Sequence, residues 1–201
     1  MPVKLSSFHV GSLYSNEEIF QSLEVGNAGG IRLKTNTDGG TRRMVVMTSL
    51  PNAKSLSENP YHDRIEGNVL VYTGAGRIGD QTIGGPNAKI AQQASGLFPM
   101  WGFQLQTSRR DRTTGPKRWR FLGLLQFLRS YAETQFDSIG KPRLAWLFEL
   151  RVHHSPNEVA VKLDAEIMNA LVRTQSVEER IEGNDREVEL VGQPLEMSSS
   201  S

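Results

Sequence analysis

The chain has no cysteine among its 201 residues. This absence excludes disulfide bonds, thiol catalysis and cysteine-ligated zinc. Long apolar runs are also absent, so nothing in the sequence has the length of a membrane span. The first eleven residues carry one lysine and no long apolar stretch, which does not fit a signal peptide. We therefore expect a cytoplasmic protein, and no residue pattern indicates a cofactor.

Charge is unevenly distributed along the chain although the net charge is only +1. The first 176 residues hold 21 of the 23 bases and 15 of the 22 acids, which gives this part a net charge of about +6. Residues 177–201 hold the other seven acids and two bases. A basic body suits a polyanionic partner, although many proteins with modest positive charge bind no nucleic acid.

Apolar patterning predicts several strands and few helices. The predicted strands are 30–34, 43–49, 68–72, 119–128 (one strand or a bent pair) and 144–152; a helix is predicted at 86–94. In the last strand Leu144, Trp146, Phe148, Leu150 and Val152 alternate and should share one face. We expect an α+β fold in which a mostly-β twisted sheet, or a small open barrel, carries flanking helices.

A further helix is predicted after this strand. Ser155 and Glu158 have the spacing of a capping box, with Pro156 at the first helical position. The expected organisation is an N-terminal lead-in at 1–29, a domain at 30–153, a helix packed on it at 154–176 and an acidic tail at 177–201. The composition of that tail predicts a flexible segment, either a linker or a terminus.

The most specific stretch is NPYHDRIEGNVLVYTGAG at 59–76, followed by Asp80-Gln81. It places a tyrosine, an acid and a Gly-Asn turn before an apolar strand that ends in Tyr-Thr-Gly-x-Gly. A second stretch has WRFLGLLQFLRSY at 119–131 and WLFELR at 146–151. Both stretches, in this order, resemble the SRA (SET- and RING-associated, or YDG) domain family, in the type joined to modification-dependent restriction endonucleases in bacteria. The resemblance covers about residues 30–153.

The resemblance implies that the chain binds double-stranded DNA and recognises a modified cytosine, 5-methyl- or 5-hydroxymethylcytosine, by base flipping. Tyr61 and Tyr72 match the tyrosines that stack on the flipped base, and Asp63 matches the acceptor for cytosine N4, although the interval between the tyrosines is one residue shorter here. Thr73, Gly74 and Gly76 would close the pocket, since glycine lets the main chain approach the base. Gln81 and Asn87 are expected to be structural.

Basic residues supply the expected contacts to the DNA backbone. The candidates are Arg42, Arg43, Arg77, Arg109, Arg110, Arg112, Lys117 and Arg118. In eukaryotic members of the family, a basic finger inserted after the Tyr-Thr-Gly motif enters the duplex where the base left. Here only residues 77–79 separate Gly76 from Asp80, so another loop, with 35–40 as a candidate, fills that gap or the gap stays open.

Other interpretations remain open. Tyr61 could be an ordinary turn tyrosine, and Tyr72 an ordinary strand tyrosine. The basic residues within 109–118 could belong to a solvated loop. His153, His154 and Asn157 superficially resemble an HNH nuclease, but they lie where a strand meets a predicted helix cap, without a ββα-metal pattern. No Asp…Glu-x-Lys arrangement indicates another nuclease. We therefore expect the targeting part of a restriction system, with a nuclease domain or subunit as a further partner; a small metal-dependent nuclease and a reader of phosphorothioate DNA are the alternatives.

Overall fold

The computed structural model describes residues 7–49, 57–106, 116–154 and 161–162. In chain order its elements are β1 (Ser7–Phe8), β2 (Leu13–Ser15), α1 (Asn16–Leu23), β3 (Ile31–Thr35), β4 (Thr41–Thr48), β5 (Arg64–Glu66), β6 (Val69–Thr73), α2 (Pro86–Ala91), α3 (Gln93–Gly96), β7 (Met100–Leu105), β8 (Arg118–Phe136), β9 (Pro142–His153) and β10 (Val161–Lys162). No helix in the described ranges is long and apolar enough to cross a membrane.

One open, mixed sheet organises the fold. Its strands run in the order β3-β4-β7-β8-β9-β6-β5, and β2 pairs with β8 beyond this path. Strands β4 and β7 are parallel, whereas the neighbouring pairs along the sheet are antiparallel. The mostly-β, α+β fold predicted from the sequence is confirmed.

The sheet is buried on both faces at its centre, which explains the continuous apolar run in β4. Val45 and Met47 pack into one core cluster with α1, while Met44 and Val46 pack into a second cluster on the other face. The first cluster is rich in aromatic rings from β7, β8 and the N-terminal segment. The cavity described below opens beside the end of β4, where Met47 leads into Ser49.

Strand β8 changes faces at Gly123. Before it, Trp119 and Phe121 pack into the first cluster; after it, Leu124 does, so the alternation has shifted by one residue. The pairing with β7 is irregular at this place, and Gly123 has a φ of +135°. A bulge of this kind bends the strand and exchanges its faces. The predicted segment 119–128 is therefore one bent strand that continues to Phe136.

The alternating residues of β9 share one face along the strand, but this face is buried only in the second half. Phe148, Leu150 and Val152 are buried together in the second cluster. Leu144, in contrast, is 42% exposed, whereas Ala145 on the opposite face is fully buried. Leu144 is exposed because the first half of β9 buries the opposite face, on which Arg143 donates to the carbonyl oxygens of Gly76 and Pro60.

The N-terminal segment is part of the core and not only a lead-in. Ser15 caps α1 in a capping box: its hydroxyl accepts from the Glu18 backbone N–H, and the Glu18 carboxylate accepts from the Ser15 N–H. The helix then buries Ile19 and Leu23 against the sheet. The sequence prediction lacks this helix, although Ser15 and Glu18 have the same capping-box spacing as Ser155 and Glu158.

Two helix predictions are corrected. The helix predicted at 86–94 is divided into α2 and α3, and the buried Gln93 side chain bonds the Leu125 carbonyl oxygen at 2.9 Å. Within the helix predicted at 154–176, Val161–Lys162 form a strand with Ser7–Phe8, so the helix is wrong at these two residues. The rest of that prediction beyond His154, and the acidic tail, lie outside the described residues.

Candidate functional site

A cavity of about 610 Å³ lies between the loop before β3, the end of β4, the segment leading to β5 and the end of β6. Three of the predicted base-pocket residues, Tyr61, Asp63 and Tyr72, line it together. They converge because Tyr61 and Asp63 lie in the segment that precedes the β5–β6 hairpin, while Tyr72 is near the end of β6. The sequence motif thus corresponds to one site in space.

The two tyrosines occupy different surroundings. Tyr72 is buried beside Phe148 in the second core cluster, and its hydroxyl group reaches Gly30, where any Cβ atom would overlap it. Burial raises the pKa of Tyr72 well above its usual value, so the ring stays neutral. Tyr61 is half-buried, and the Arg143 guanidinium carbon lies 5.9 Å from its ring centroid. Both rings are thus fixed by neighbours outside the cavity.

Asp63 is only 2% exposed and accepts hydrogen bonds from the Thr48 side chain and from both the backbone and the side chain of Thr73. The Thr48 hydroxyl donates to Oδ2 at 2.5 Å, and the Thr73 backbone N–H donates to Oδ1 at 2.8 Å. Burial raises the pKa of Asp63 to about 6, although these bonds act in the opposite direction. A carboxylate oxygen accepts more than one hydrogen bond, so Asp63 can still accept from a ligand in the cavity.

Thr73, Gly74 and Gly76 are not among the residues that line the cavity, and their role in closing the pocket stays a prediction. The Thr73 hydroxyl accepts from the His62 N–H at 3.2 Å, which ties the two cavity segments together. Gly74 leaves no room for a side chain beside Asn87. It is Ala75, between the two glycines, that faces the cavity.

Gln81 and Asn87 hold this loop, as expected of structural residues. The Gln81 amide nitrogen donates to the carbonyl oxygens of Gly74 and Gly76, at 2.6 and 3.1 Å. The Asn87 side chain accepts from the Ala75 N–H at 2.7 Å and donates to its carbonyl oxygen at 3.1 Å. Side-chain amides therefore replace a β-ladder as the partners of the loop backbone.

Two buried arginines of the site were missed from the sequence. Arg143, in β9, donates to the carbonyl oxygens of Gly76 and Pro60 and so joins the two walls that carry the predicted motif. Arg32, in β3, is 5% exposed and lines the cavity. A single arginine within a strand has no characteristic spacing, so only the tertiary structure connects it with the site.

The residues predicted to contact the DNA backbone, apart from Arg43, separate into three groups. Arg42 is exposed on β4, and Arg77 and Lys117 line the cavity, with the Arg77 guanidinium donating to the Ser57 carbonyl oxygen at 2.8 Å. Arg118 pairs with Glu18 at 3.8 Å on the surface. Arg109, Arg110 and Arg112 lie outside the described residues.

The prediction for Arg43, a contact to the DNA backbone, is corrected by the structure. Its side chain is buried and donates to the Leu23 carbonyl oxygen at 3.1 Å, at the end of α1. Its side chain points inward because successive residues of a strand point to opposite faces, and the preceding residue, Arg42, is the exposed one. The prediction of a phosphate contact from Arg43 is therefore wrong.

The turn at 35–40 does not line the cavity in the described part of the chain. It joins β3 to β4 at the end of β3 opposite Gly30, and five residues of strand correspond to about 17 Å. This turn is therefore badly placed to fill a gap left by a ligand drawn into the cavity.

Within the described part of the chain, His153 and His154 belong to no cluster of metal-ligating side chains. The His153 Nε2 atom lies 2.8 Å from the Gln126 side-chain oxygen, and burial lowers the pKa of His153 to about 4. Among the described residues, no group of three or more His, Asp or Glu side chains is arranged to hold a metal ion. Asn157 lies outside these residues.

Comparison with known proteins gives a match by structure only. No family model matches the sequence, and no curated protein matches it. The SUVH5 SRA domain in complex with fully methylated CG DNA has a TM-score of 0.52 at 19% identity, and the match covers 78% of this chain and 94% of that one. The same SRA domain bound to fully hydroxymethylated CG DNA gives 0.50 at 20% identity, over 78% and 93%.

A restriction enzyme is also among the matches. The type IV phosphorothioation-dependent restriction endonuclease ScoMcrA has a TM-score of 0.50 at 16% identity, over 73% of this chain and 28% of that one. At these identities the likeness concerns the fold. The chain therefore has the SRA fold, as the order of its sequence motifs had indicated.

Proposed function

We propose that this chain binds duplex DNA and holds a modified cytosine, flipped out of the helix, in the cavity of Tyr61, Asp63 and Tyr72. The observation that carries the proposal is that these three residues, matched by sequence to an SRA pocket, line one cavity in an SRA fold. Similar SRA domains form complexes with methylated and hydroxymethylated DNA. A base must leave the duplex to be enclosed, at a cost of a few kcal/mol.

Contacts with the cavity residues can offset the free-energy cost of base flipping. Stacking on an aromatic ring contributes about 1–3 kcal/mol per contact, and two tyrosines are available. The Asp63 carboxylate accepts from cytosine N4, which thymine lacks, and such a contact discriminates by about 1–3 kcal/mol. Arg77 and Lys117 at the cavity place positive charge where the DNA backbone would pass.

The test uses a duplex with one modified cytosine beside 2-aminopurine, whose emission rises when its neighbour leaves the stack. Tyr61→Ala and Tyr72→Ala should each weaken binding to modified DNA by about 1–3 kcal/mol. Asp63→Ala should cost a similar amount and relax the preference for cytosine. Binding to unmodified duplex should change little in all three, since it depends on phosphate contacts.

Matched controls are Tyr131→Ala, at a tyrosine on β8 outside the cavity lining, and Asp38→Ala, at an exposed turn acid. Both should bind modified DNA as the wild type does. If the wild type binds modified DNA while the probe stays stacked, base flipping into this cavity is refuted.

We further propose that the chain is the targeting part of a modification-dependent restriction system, with the nuclease in another domain or subunit. The likeness to a restriction endonuclease supports this role. That enzyme is described as phosphorothioation-dependent, so phosphorothioate DNA is the second candidate ligand. Adding a phosphorothioate duplex to the same binding series separates the two: a preference for it that survives Tyr61→Ala would favour the second candidate.

A further inference from the structure

Arg32 presents a buried charge to the cavity. Its Nε atom donates to the Gly29 carbonyl oxygen at 3.0 Å, but among the described residues its buried Nη1 atom has no hydrogen-bond partner. Burial lowers the pKa of Arg32 from its usual value, yet an arginine stays protonated in proteins. An unmatched donor of this kind is unfavourable unless a ligand supplies the acceptor.

The other two buried arginines near the site, Arg43 and Arg143, likewise each have a buried Nε atom without a hydrogen-bond partner among the described residues. Arg43 donates through a terminal nitrogen to the Leu23 carbonyl oxygen, and Arg143 donates through both terminal nitrogens to Gly76 and Pro60. Neither of them lines the cavity. Arg32 is therefore distinguished by its place in the cavity lining, where a ligand would be near its unmatched donor.

Arg32 lies close to Tyr72, the residue on which the held base would stack. Gly30 and Arg32 lie on the same side of β3, two residues apart, and the Tyr72 hydroxyl group packs on Gly30. A base stacked on Tyr72 would consequently have part of its edge close to Arg32.

The size of the cavity leaves room for a substituent on that edge. A volume of about 610 Å³ is in the range of pockets that enclose drug-sized ligands, well above what one pyrimidine ring requires. A methyl group would leave Nη1 without an acceptor, whereas a substituent that carries an oxygen would supply one. Sites that hydrogen-bond a ligand oxygen reject the analogue that lacks it.

We propose that Arg32 donates a hydrogen bond to an oxygen on the C5 substituent of the held cytosine, so that the chain prefers 5-hydroxymethylcytosine to 5-methylcytosine. The proposal rests on the proposed function and adds the class of substituent and the residue that selects it. A hydrogen bond to a charged donor corresponds to roughly a 10- to 100-fold difference in affinity.

The test measures affinity for three duplexes that differ only in one base, which is cytosine, 5-methylcytosine or 5-hydroxymethylcytosine. The wild type should bind the hydroxymethylated duplex roughly 10-fold or more tightly than the methylated one. Arg32→Met, of similar length without charge, should bring this ratio close to one. Lys34→Met, two residues along the same side of β3, is the matched control and should keep the wild-type ratio.

A wild-type ratio of one or below, or a ratio unchanged in Arg32→Met, overturns the proposal. If Arg32→Met fails to fold, Arg32→Gln takes its place: it keeps a neutral donor and should lower the ratio, and an unchanged ratio again counts against Arg32. Equal binding of the wild type to all three duplexes would instead refute the proposed function, and the role of Arg32 with it.

Discussion

Asp63 carries an acid–base property that can be measured without DNA. Its pKa is about 6 in the fold, compared with 3.8 for an ordinary aspartate, because it is buried. Between these values the folded state keeps the proton that the unfolded chain releases. The contribution to stability is therefore greatest at pH below 3.8 and is lost as the pH rises to 6.

The two pKa values imply that this contribution declines by about 3 kcal/mol across the window. Asp63→Asn cannot ionise, so its stability should not share this decline. Denaturant unfolding of both proteins at pH 4, 5, 6 and 7 should show the wild type losing stability relative to Asp63→Asn as the pH rises. A difference between the two that stays constant with pH would mean that Asp63 has an ordinary pKa.

At the scale of single residues, the sequence predicted those site residues that belong to a recognisable motif. Tyr61, Asp63 and Tyr72 were found because the order of residue types around them is specific, and they line one cavity. Arg32 and Arg143 were missed because their importance depends on which carbonyl groups and rings the fold brings beside them. The misassignment of Arg43 has the same origin, since strand alternation decides which of two adjacent arginines faces inward.

Among the elements, β8 depends on a glycine at its bend. A Cβ atom at Gly123 would overlap the backbone carbonyl oxygen of His153 in β9, and the φ of +135° is unfavourable for other residues. We expect Gly123→Ala to destabilise the fold by more than about 2 kcal/mol, since backbone cannot move aside as a flexible side chain can. Thermal or denaturant unfolding measures the loss.

The control for this substitution is Gly140→Ala in the β8–β9 turn. Gly140 also has a positive φ, of +79°, but an added Cβ atom would meet nothing within 4 Å. It should cost only the backbone strain, about 1–2 kcal/mol. Equal losses for the two variants would show that β8 and β9 can separate at Gly123.

The strands were predictable where apolar runs are long, as in β4 and β8, because burial on both faces needs such runs. Their details were not, since the shift at Gly123 and the change of buried face in β9 depend on pairing between distant segments. The sequence also contains a local signal for α1 that the predicted elements do not include. The Ser15–Glu18 capping box has the same spacing as Ser155–Glu158, and it does begin a helix.

For the whole molecule, the charge distribution predicts how binding responds to salt. A basic body releases counterions from DNA when it contacts phosphates, so affinity should fall steeply between low and physiological salt. Neutralising Arg109, Arg110 and Arg112 together should weaken all duplexes by a similar factor and reduce the salt slope. Fluorescence anisotropy across a salt series measures both effects. An affinity that is flat with salt, or a loss confined to modified duplexes, would contradict a role in phosphate contact.

The parallel pairing of β4 with β7 has a consequence for how the molecule assembles. Parallel neighbours cannot be joined by a tight turn, so the chain at 49–99 must return to the edge from which β4 began before β7 can pair. That connection contains every predicted base-pocket residue. Closing it costs conformational entropy, which is recovered only when β4 and β7 pair. The segment that carries the predicted base-pocket residues thus belongs to the connection whose closure joins β4 to β7, and its sequence is constrained by chain connectivity.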